Sequence, residues 1–201
     1  MSRINKVKPL CETKFVSLYD VKYTNKKGKE KSWTVASRKN QETLEGIYIE
    51  GKEDKIDAVI ICAYHKTEKK LVIIKEFRVP INKYIYELPA GLVDSDDNHF
   101  ENTVRRELKE ETGLDLVSIN ESKSHDKVYL SPGMTDESVA FVSCIVDGEV
   151  SKDYLEDDED IEAILVSQED AIKYLESKEA IDVRAYLALQ SFALLGEKMF
   201  I

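Results

Sequence analysis

The sequence predicts an α+β protein, and three observations carry that prediction. Short apolar, β-rich runs recur along the chain, one strongly amphipathic helix interrupts them near the middle, and helical stretches close it. The first strand signal is an alternation. Phe15, Ser17, Tyr19, Val21 and Tyr23 alternate with more polar neighbours, Asn25-Lys26-Lys27-Gly28 has turn chemistry, and Trp33 and Val35 resume the pattern. This is a β-hairpin with one face to bury. A third strand is expected over Gly46–Glu50, and the polar segment 51–55 reads as a linker. A small N-terminal antiparallel β-domain, residues 1–53, is thus expected before a larger domain, residues 54–201.

Ala58-Val59-Ile60-Ile61-Cys62-Ala63 and Leu71-Val72-Ile73-Ile74 are continuous apolar runs. Both are too short for a helix buried all round, and they suit core strands. Further strands are expected over 84–88, 114–119, 127–130, 138–146 and 161–166. Two helices follow. Ile181, Ala185, Ala188, Phe192 and Leu195 fall at spacings of 4, 3, 4 and 3, an amphipathic stripe.

Composition narrows the function. The 201 residues are 42% hydrophobic and 34% charged, as in a globular chain and unlike a disordered one. A net charge of -10 repels a phosphate polymer, so nucleic acid is not expected as a partner. No apolar run approaches a membrane span, and Met1-Ser2-Arg3-Ile4-Asn5-Lys6 has no signal-peptide core. Cys11, Cys62 and Cys144 read as buried free thiols of a cytoplasmic protein, with no disulfide or zinc spacing. His65, His99 and His125 show no ligand spacing and read as surface residues.

The helix expected from Asn98 to Gly113 carries the chemistry. Asn98 is a good N-cap, Glu101 completes a capping-box pair, and Gly113 suits the C-terminal stop. Phe100, Val104 and Leu108 form the apolar stripe. Glu111 falls on that stripe, Glu107 at its edge and Glu110 further round, while Arg105, Arg106 and Lys109 cluster on the other side. Glu101–Arg105 and Arg106–Glu110 are ordinary surface pairs. Glu107 and Glu111 are a like-charge pair on the core-facing side, where carboxylates without a partner are expensive. A hard dication resolves that cost; a helix whose glutamates face a cleft is the competing reading.

Gly91 followed by Arg106-Glu107-Leu108-Lys109-Glu110-Glu111-Thr112-Gly113-Leu114 resembles the Nudix box of the Nudix hydrolase superfamily. The C-terminal half of the box matches at every fixed position. The N-terminal half departs: it is one residue longer, and Asn98 stands where that family has a glutamate, with Asp97 beside it. The resemblance implies an α/β/α sandwich around a mixed sheet, which accommodates the strands above. It also implies that Glu107 and Glu111 are the principal metal ligands, helped by Glu110 and by the backbone carbonyl of Ala90, with Mg²⁺ as the ion and Mn²⁺ as the alternative.

Outer motifs resemble the ADP-ribose pyrophosphatase branch of that family. They are Phe77-Arg78-Val79-Pro80, Glu87-Leu88-Pro89-Ala90-Gly91, Leu130-Ser131-Pro132-Gly133-Met134-Thr135-Asp136-Glu137 and Trp33-Thr34-Val35-Ala36-Ser37-Arg38. This branch implies a homodimer built through the N-terminal β-domain, and hydrolysis of ADP-ribose to AMP and ribose 5-phosphate. Glu137 is the first choice for the base that takes the water's proton and Asp136 the second; without the family context a solvated turn is the plainer reading. Arg78 is expected to grip phosphate, against a competing reading as a strand-end arginine in a surface ion pair. Trp33 is expected to stack on adenine with Arg38 near the base edge, against a competing role for Trp33 in filling the hairpin core. Glu87 either contacts the ligand or holds the loop at Pro89. Glu159 and Asp160 could approach the metals from the acidic run, with a solvated loop as the plainer reading. The alternatives are hydrolysis of another nucleoside diphosphate sugar, or a nucleotide sensor that does not cleave; Glu107, Glu110 and Glu111 together argue against the sensor.

Overall fold

The structure, a computed structural model, describes residues 3–93, 99–155 and 159–201. It divides into two compact units. The first comprises Met1–Asp57 and Lys127–Val139, and the second Ala58–Asp126 and Ala140–Ile201.

In the first unit, β1 (Ile4–Cys11), β2 (Ser17–Thr24) and β3 (Glu30–Ser37) form an antiparallel sheet in that order. The expected hairpin is β2–β3, paired from Ser17 with Ser37 to Thr24 with Glu30. Its turn closes as the residues require: the Asn25 side chain accepts from the Lys27 and Lys29 N–H groups, and Gly28 takes a φ of 71°. The alternation buries Ser17, Tyr19 and Val21, and the last two pack with Val7 and Leu44.

The third strand is β1, not Gly46–Glu50, which corrects the expectation. Asn40 caps a helix, α1 (Gln41–Glu45), by accepting from the Thr43 N–H at 2.9 Å. The helical path continues through Gly46–Glu50 as a wider turn, and Gly51 in the left-handed region ends it. Cap and stop together outweigh the β-propensity of Ile47-Tyr48-Ile49.

The larger sheet is built on β4 (Ala58–His65), β5 (Lys70–Arg78), β6 (Lys83–Glu87), β7 (Ala90–Leu92), β8 (Asp115–Ile119), β9 (His125–Tyr129), β10 (Ser138–Asp147) and β11 (Ile161–Val166). The sheet runs β11-β5-β4-β10-β8, with β6 on β5, β7 on β4 and β9 on β10. β4 and β10 run parallel. Asp57 N–H reaches the Ser138 carbonyl at one end, and Lys66 N–H reaches the Val146 carbonyl at the other. Every residue of β4 is buried, as in a strand covered on both faces. α2 (Phe100–Thr112) packs on β4, β7, β8 and β11, while α4 (Val183–Leu195) packs on β5, β6 and α3 (Gln168–Glu176).

Two composition readings are corrected. Cys11 is exposed, while Cys62 and Cys144 are buried thiols. His65 is 1% exposed and not a surface residue. Its Nδ1 accepts the Glu68 N–H at 3.2 Å, and Nε2 lies 3.0 Å from the Gly148 carbonyl. The imidazole satisfies backbone groups at the β4–β5 turn, a use that leaves no spacing signal.

Candidate active site

α2 begins with His99 as a cap that makes no side-chain bond; the expected cap Asn98 lies outside the described residues, as do Asp94 and Asp97. Gly113 ends the helix at φ 77°, its N–H bonded to the Lys109 carbonyl. Val104 and Leu108 are fully buried, and they carry Glu107 and Glu111 inward with them. Glu107 is 7% exposed and Glu111 5%. Glu110 is half-buried.

The β7 segment shapes the floor beneath these carboxylates. Ala90 N–H donates to Glu111 Oε2 at 3.1 Å. A Cβ at Gly91 would overlap the Glu107 carboxylate, so any side chain there would displace that carboxylate. This contact explains why the loop glycine and the helix glutamate occur together, although fifteen residues of sequence separate Gly91 from Arg106.

The electrostatics record the cost. Burial pushes the Glu107 carboxyl up to about 7 against the pull of Arg106, and Glu110 and Glu159 add to the rise. Burial and the neighbouring Glu107 hold Glu111 well above the carboxylate range, against the Ala90 N–H; Glu76 and Glu159 raise it further. Glu76, on β5, is likewise pushed up to about 6 by burial.

Arg106 is the one helix cation drawn into this group. It bonds Glu107 Oε1 at 2.8 Å, Glu110 Oε2 at 2.9 Å and the Leu92 carbonyl at 3.0 Å. Wheel geometry put it on the far side, but its long stem lets the guanidinium reach back. Arg105 stays outside with Glu101 at 2.7 Å. Among the described residues, no three acidic, histidine or cysteine side chains already converge as a metal cage would. Arg106 pairs with two of the four helix carboxylates, Glu107 and Glu110. The donors still fit a hard dication: three carboxylates within five residues of one helix, two of them buried and above their normal pKa for want of positive charge.

Beside this group, Arg78 ends β5 between two carboxylates. Nη1 lies 2.8 Å from Glu76 Oε1, and Nε bonds Glu87 Oε2. Glu87 is buried and also faces Arg184 at 3.6 Å. Glu159 is the residue that sequence reasoning undervalued. Its charge raises Glu76, Glu107 and Glu111, so it approaches the same carboxylates. Asp160 anchors the following turn, bonded by the Tyr84 hydroxyl, with its carbonyl accepting from Phe77 N–H at 3.3 Å. An acidic run before a strand was the available signal, but charge density alone does not say which face it meets.

The remaining expected residues lie in the first unit. Trp33 is 54% exposed and not core filling; its indole N–H donates to the Gly133 carbonyl at 3.1 Å. Arg38 Nε lies 3.2 Å from Glu137 Oε1. Asp136 lies 3.3 Å from Lys39 Nζ. Ala36 N–H bonds the Met134 carbonyl at 2.9 Å, so β3 holds the Ser-Pro-Gly segment along its edge. The structure therefore gathers Arg38, Asp136, Glu137 and Trp33 in one unit and Arg78, Glu87, Ala90, Glu107, Glu110 and Glu111 in the other. Among the described residues no helix is long and apolar enough to cross a membrane.

Residues 54–189 match the model of the NUDIX domain family. Over 124 residues the chain is 36% identical to the ADP-ribose pyrophosphatase of Bacillus subtilis, covering 61% of this chain and 65% of that protein, just under two thirds of its length. It is 30% identical over 166 residues to the ADP-ribose pyrophosphatase of Saccharomyces cerevisiae, covering 80% of this chain and 67% of that one. A crystal structure described as an ADP compounds hydrolase superposes with a TM-score of 0.69 at 15% identity, covering 96% of this chain and 92% of the other, which supports the fold alone.

Proposed function

The chain belongs to the Nudix family, and from that premise we propose that it hydrolyses the diphosphate bond of ADP-ribose to give AMP and ribose 5-phosphate. One observation carries the chemistry: Glu107 and Glu111 are buried on one helix face against Gly91 and Ala90, short of positive charge. The ADP-ribose assignment draws on the two relatives of that name.

Nudix hydrolases generally use divalent metal ions; here we take Mg²⁺ as the ion, with Mn²⁺ as a substitute. Glu107, Glu110, Glu111 and the Ala90 carbonyl are the groups that would hold it. When bound, it supplies positive charge that offsets the diphosphate and acidifies water. Arg78 grips the diphosphate as a bidentate fork. Trp33 stacks on the adenine and Arg38 reads its edge, offered from the partner subunit of a homodimer, for which the exposed Leu10, Phe15 and Leu18 supply apolar surface. Glu137 takes the water's proton, with Asp136 as its reserve. Arg38 engages Glu137 in the free protein, so capture of Arg38 by the nucleotide would release that carboxylate. The three free thiols fit a cytoplasmic site of action.

The test is product analysis with Mg²⁺ across ADP-ribose, GDP-mannose and dinucleoside polyphosphates. Fastest turnover of ADP-ribose supports the reading; preference for a guanosine or uridine sugar removes the adenine assignment; binding without turnover makes the chain a sensor. Comparing Glu137→Gln with Glu159→Gln locates the base. Wild-type rate in the first and loss in the second would transfer the role to Glu159.

A further inference from the structure

The buried Glu87 raises a question that the diphosphate-gripping role of Arg78 does not answer. A buried carboxylate is tolerated only when charge and hydrogen bonds compensate it. Arg78 alone is a poor counterion here, because its Nη1 is shared with Glu76. The second cation is Arg184, whose Nη2 lies 3.6 Å from the other oxygen of Glu87, Oε1.

The fold builds this approach deliberately into the backbone. Residues 180–182 run beside β6 as a short parallel addition: Tyr86 N–H bonds the Ala180 carbonyl at 3.0 Å, and Asp182 N–H bonds the Tyr86 carbonyl at 2.9 Å. Tyr86 is the residue before Glu87, so the start of α4 is pinned next to the buried carboxylate. Asp182 then caps α4 by accepting the Arg184 N–H at 2.8 Å, and its carboxylate also holds the Arg184 guanidinium through Nε and through Nη2 at 2.9 Å. Five charges form one chain: Asp182, Arg184, Glu87, Arg78 and Glu76. At the far end Arg78 keeps Nη2 without a hydrogen bond among the described residues, and its side chain is 42% exposed.

We propose that Arg184, held by Asp182 at the start of α4, is a positioning residue that acts through Glu87 to fix the orientation of the Arg78 guanidinium toward the diphosphate. This rests on the hydrolase reading above. Arg184 touches no substrate. Without it, Glu87 is left with Arg78 as its sole described cation, and the guanidinium swings to cover both carboxylate oxygens.

The experiment is a double-mutant cycle with ADP-ribose and Mg²⁺, using Arg184→Met, Arg78→Lys and the pair, with Arg184→Lys as the conservative variant and melting temperatures for all four. We expect Arg184→Met to raise KM by about tenfold, within the range of coupling between contacting residues, with kcat changed less. Arg184→Lys should recover most of it. In the Arg78→Lys background, Arg184→Met should add nothing further. Additive losses, an unchanged KM, or a loss that follows melting temperature and is not restored by lysine would each overturn the proposal. If Arg184→Met does not fold, Asp182→Asn releases the same guanidinium and must show the same dependence on Arg78. A wild-type protein inactive on every diphosphate would sink the hydrolase reading itself and this inference with it, an outcome visible before any variant is made.

Discussion

Two acidic clusters of this molecule, one half-buried and one buried, deal with the cost of burial in opposite ways. In the first unit, Asp54, Asp57 and Asp136 surround Lys39, whose ammonium lies 2.8 Å from Asp57, 3.3 Å from Asp136 and 3.5 Å from Asp54. Lys127 adds a second cation at Asp54. Burial alone would lower the Lys39 ammonium, but the bond to Asp57 and the charges of Asp136, Asp57 and Asp54 hold it above its usual value. In the second unit, burial holds Glu107 and Glu111 above the usual carboxylate range, and Arg106 pairs with the first of them. Asp54 and Asp57 are carboxylates that the chain itself neutralises, and they belong to the scaffold. A carboxylate that the chain leaves short of charge is waiting for a ligand.

Breaking the second region should have the largest effect. Glu111→Gln is expected to lower turnover by about a thousandfold or more, on the scale of removing a principal electrostatic group, while the fold is retained and the protein in EDTA becomes more stable. Activity within a few-fold of wild type would remove Glu111 from the site. The mirror experiment is Lys39→Met. Stripping the counterion from three half-buried acids should cost up to about 3–5 kcal/mol, read as a melting temperature lower by up to roughly 10 °C, and an unaffected melting curve would show that the cluster is solvated.

A pH series sharpens the same contrast. Glu107 binds its proton more tightly in the fold than in the unfolded chain, so its contribution is fully present below pH 4.5 and lost as the pH rises through about 7. Denaturation in EDTA should therefore show a loss of about 3 kcal/mol from this group between pH 4.5 and 8. Saturating Mg²⁺ should flatten the slope, because the cation takes over from the proton; an identical slope with and without Mg²⁺ would mean that these carboxylates bind no ion. At the small end, Glu101→Ala removes an exposed i, i+4 partner of Arg105. We expect less than about 0.5 kcal/mol, and a larger loss by chemical denaturation would mean that this face is not simply solvated.

Much of the fold was legible because it depends on local periodicity. The runs at 58–63 and 71–74 are strands, extended by the structure to Ala58–His65 and Lys70–Arg78, and the stripe of α4 buries Ala185, Ala188 and Phe192. Leu195, by contrast, is half exposed, because the helix ends there and turns at Gly196. β1 was missed because Ile4-Asn5-Lys6-Val7-Lys8 exposes nearly everything except Val7, so no two-residue alternation marks it. Gly46–Glu50 was misread because β-branched content outweighed a cap six residues earlier.

The candidate site divides in the same way. Residue order alone placed Glu107 and Glu111 on the buried face of one helix, because helical geometry follows from spacing and apolar neighbours compel the direction. Long side chains and distant partners obey no such rule. That Arg106 folds back over two glutamates, that Glu159 returns to the same carboxylates, and that Arg184 reaches Glu87 across a strand were decided by the packing of elements far apart in the chain. Those partners are selected by where charge is scarce in the finished interior, and that scarcity exists only once the interior does.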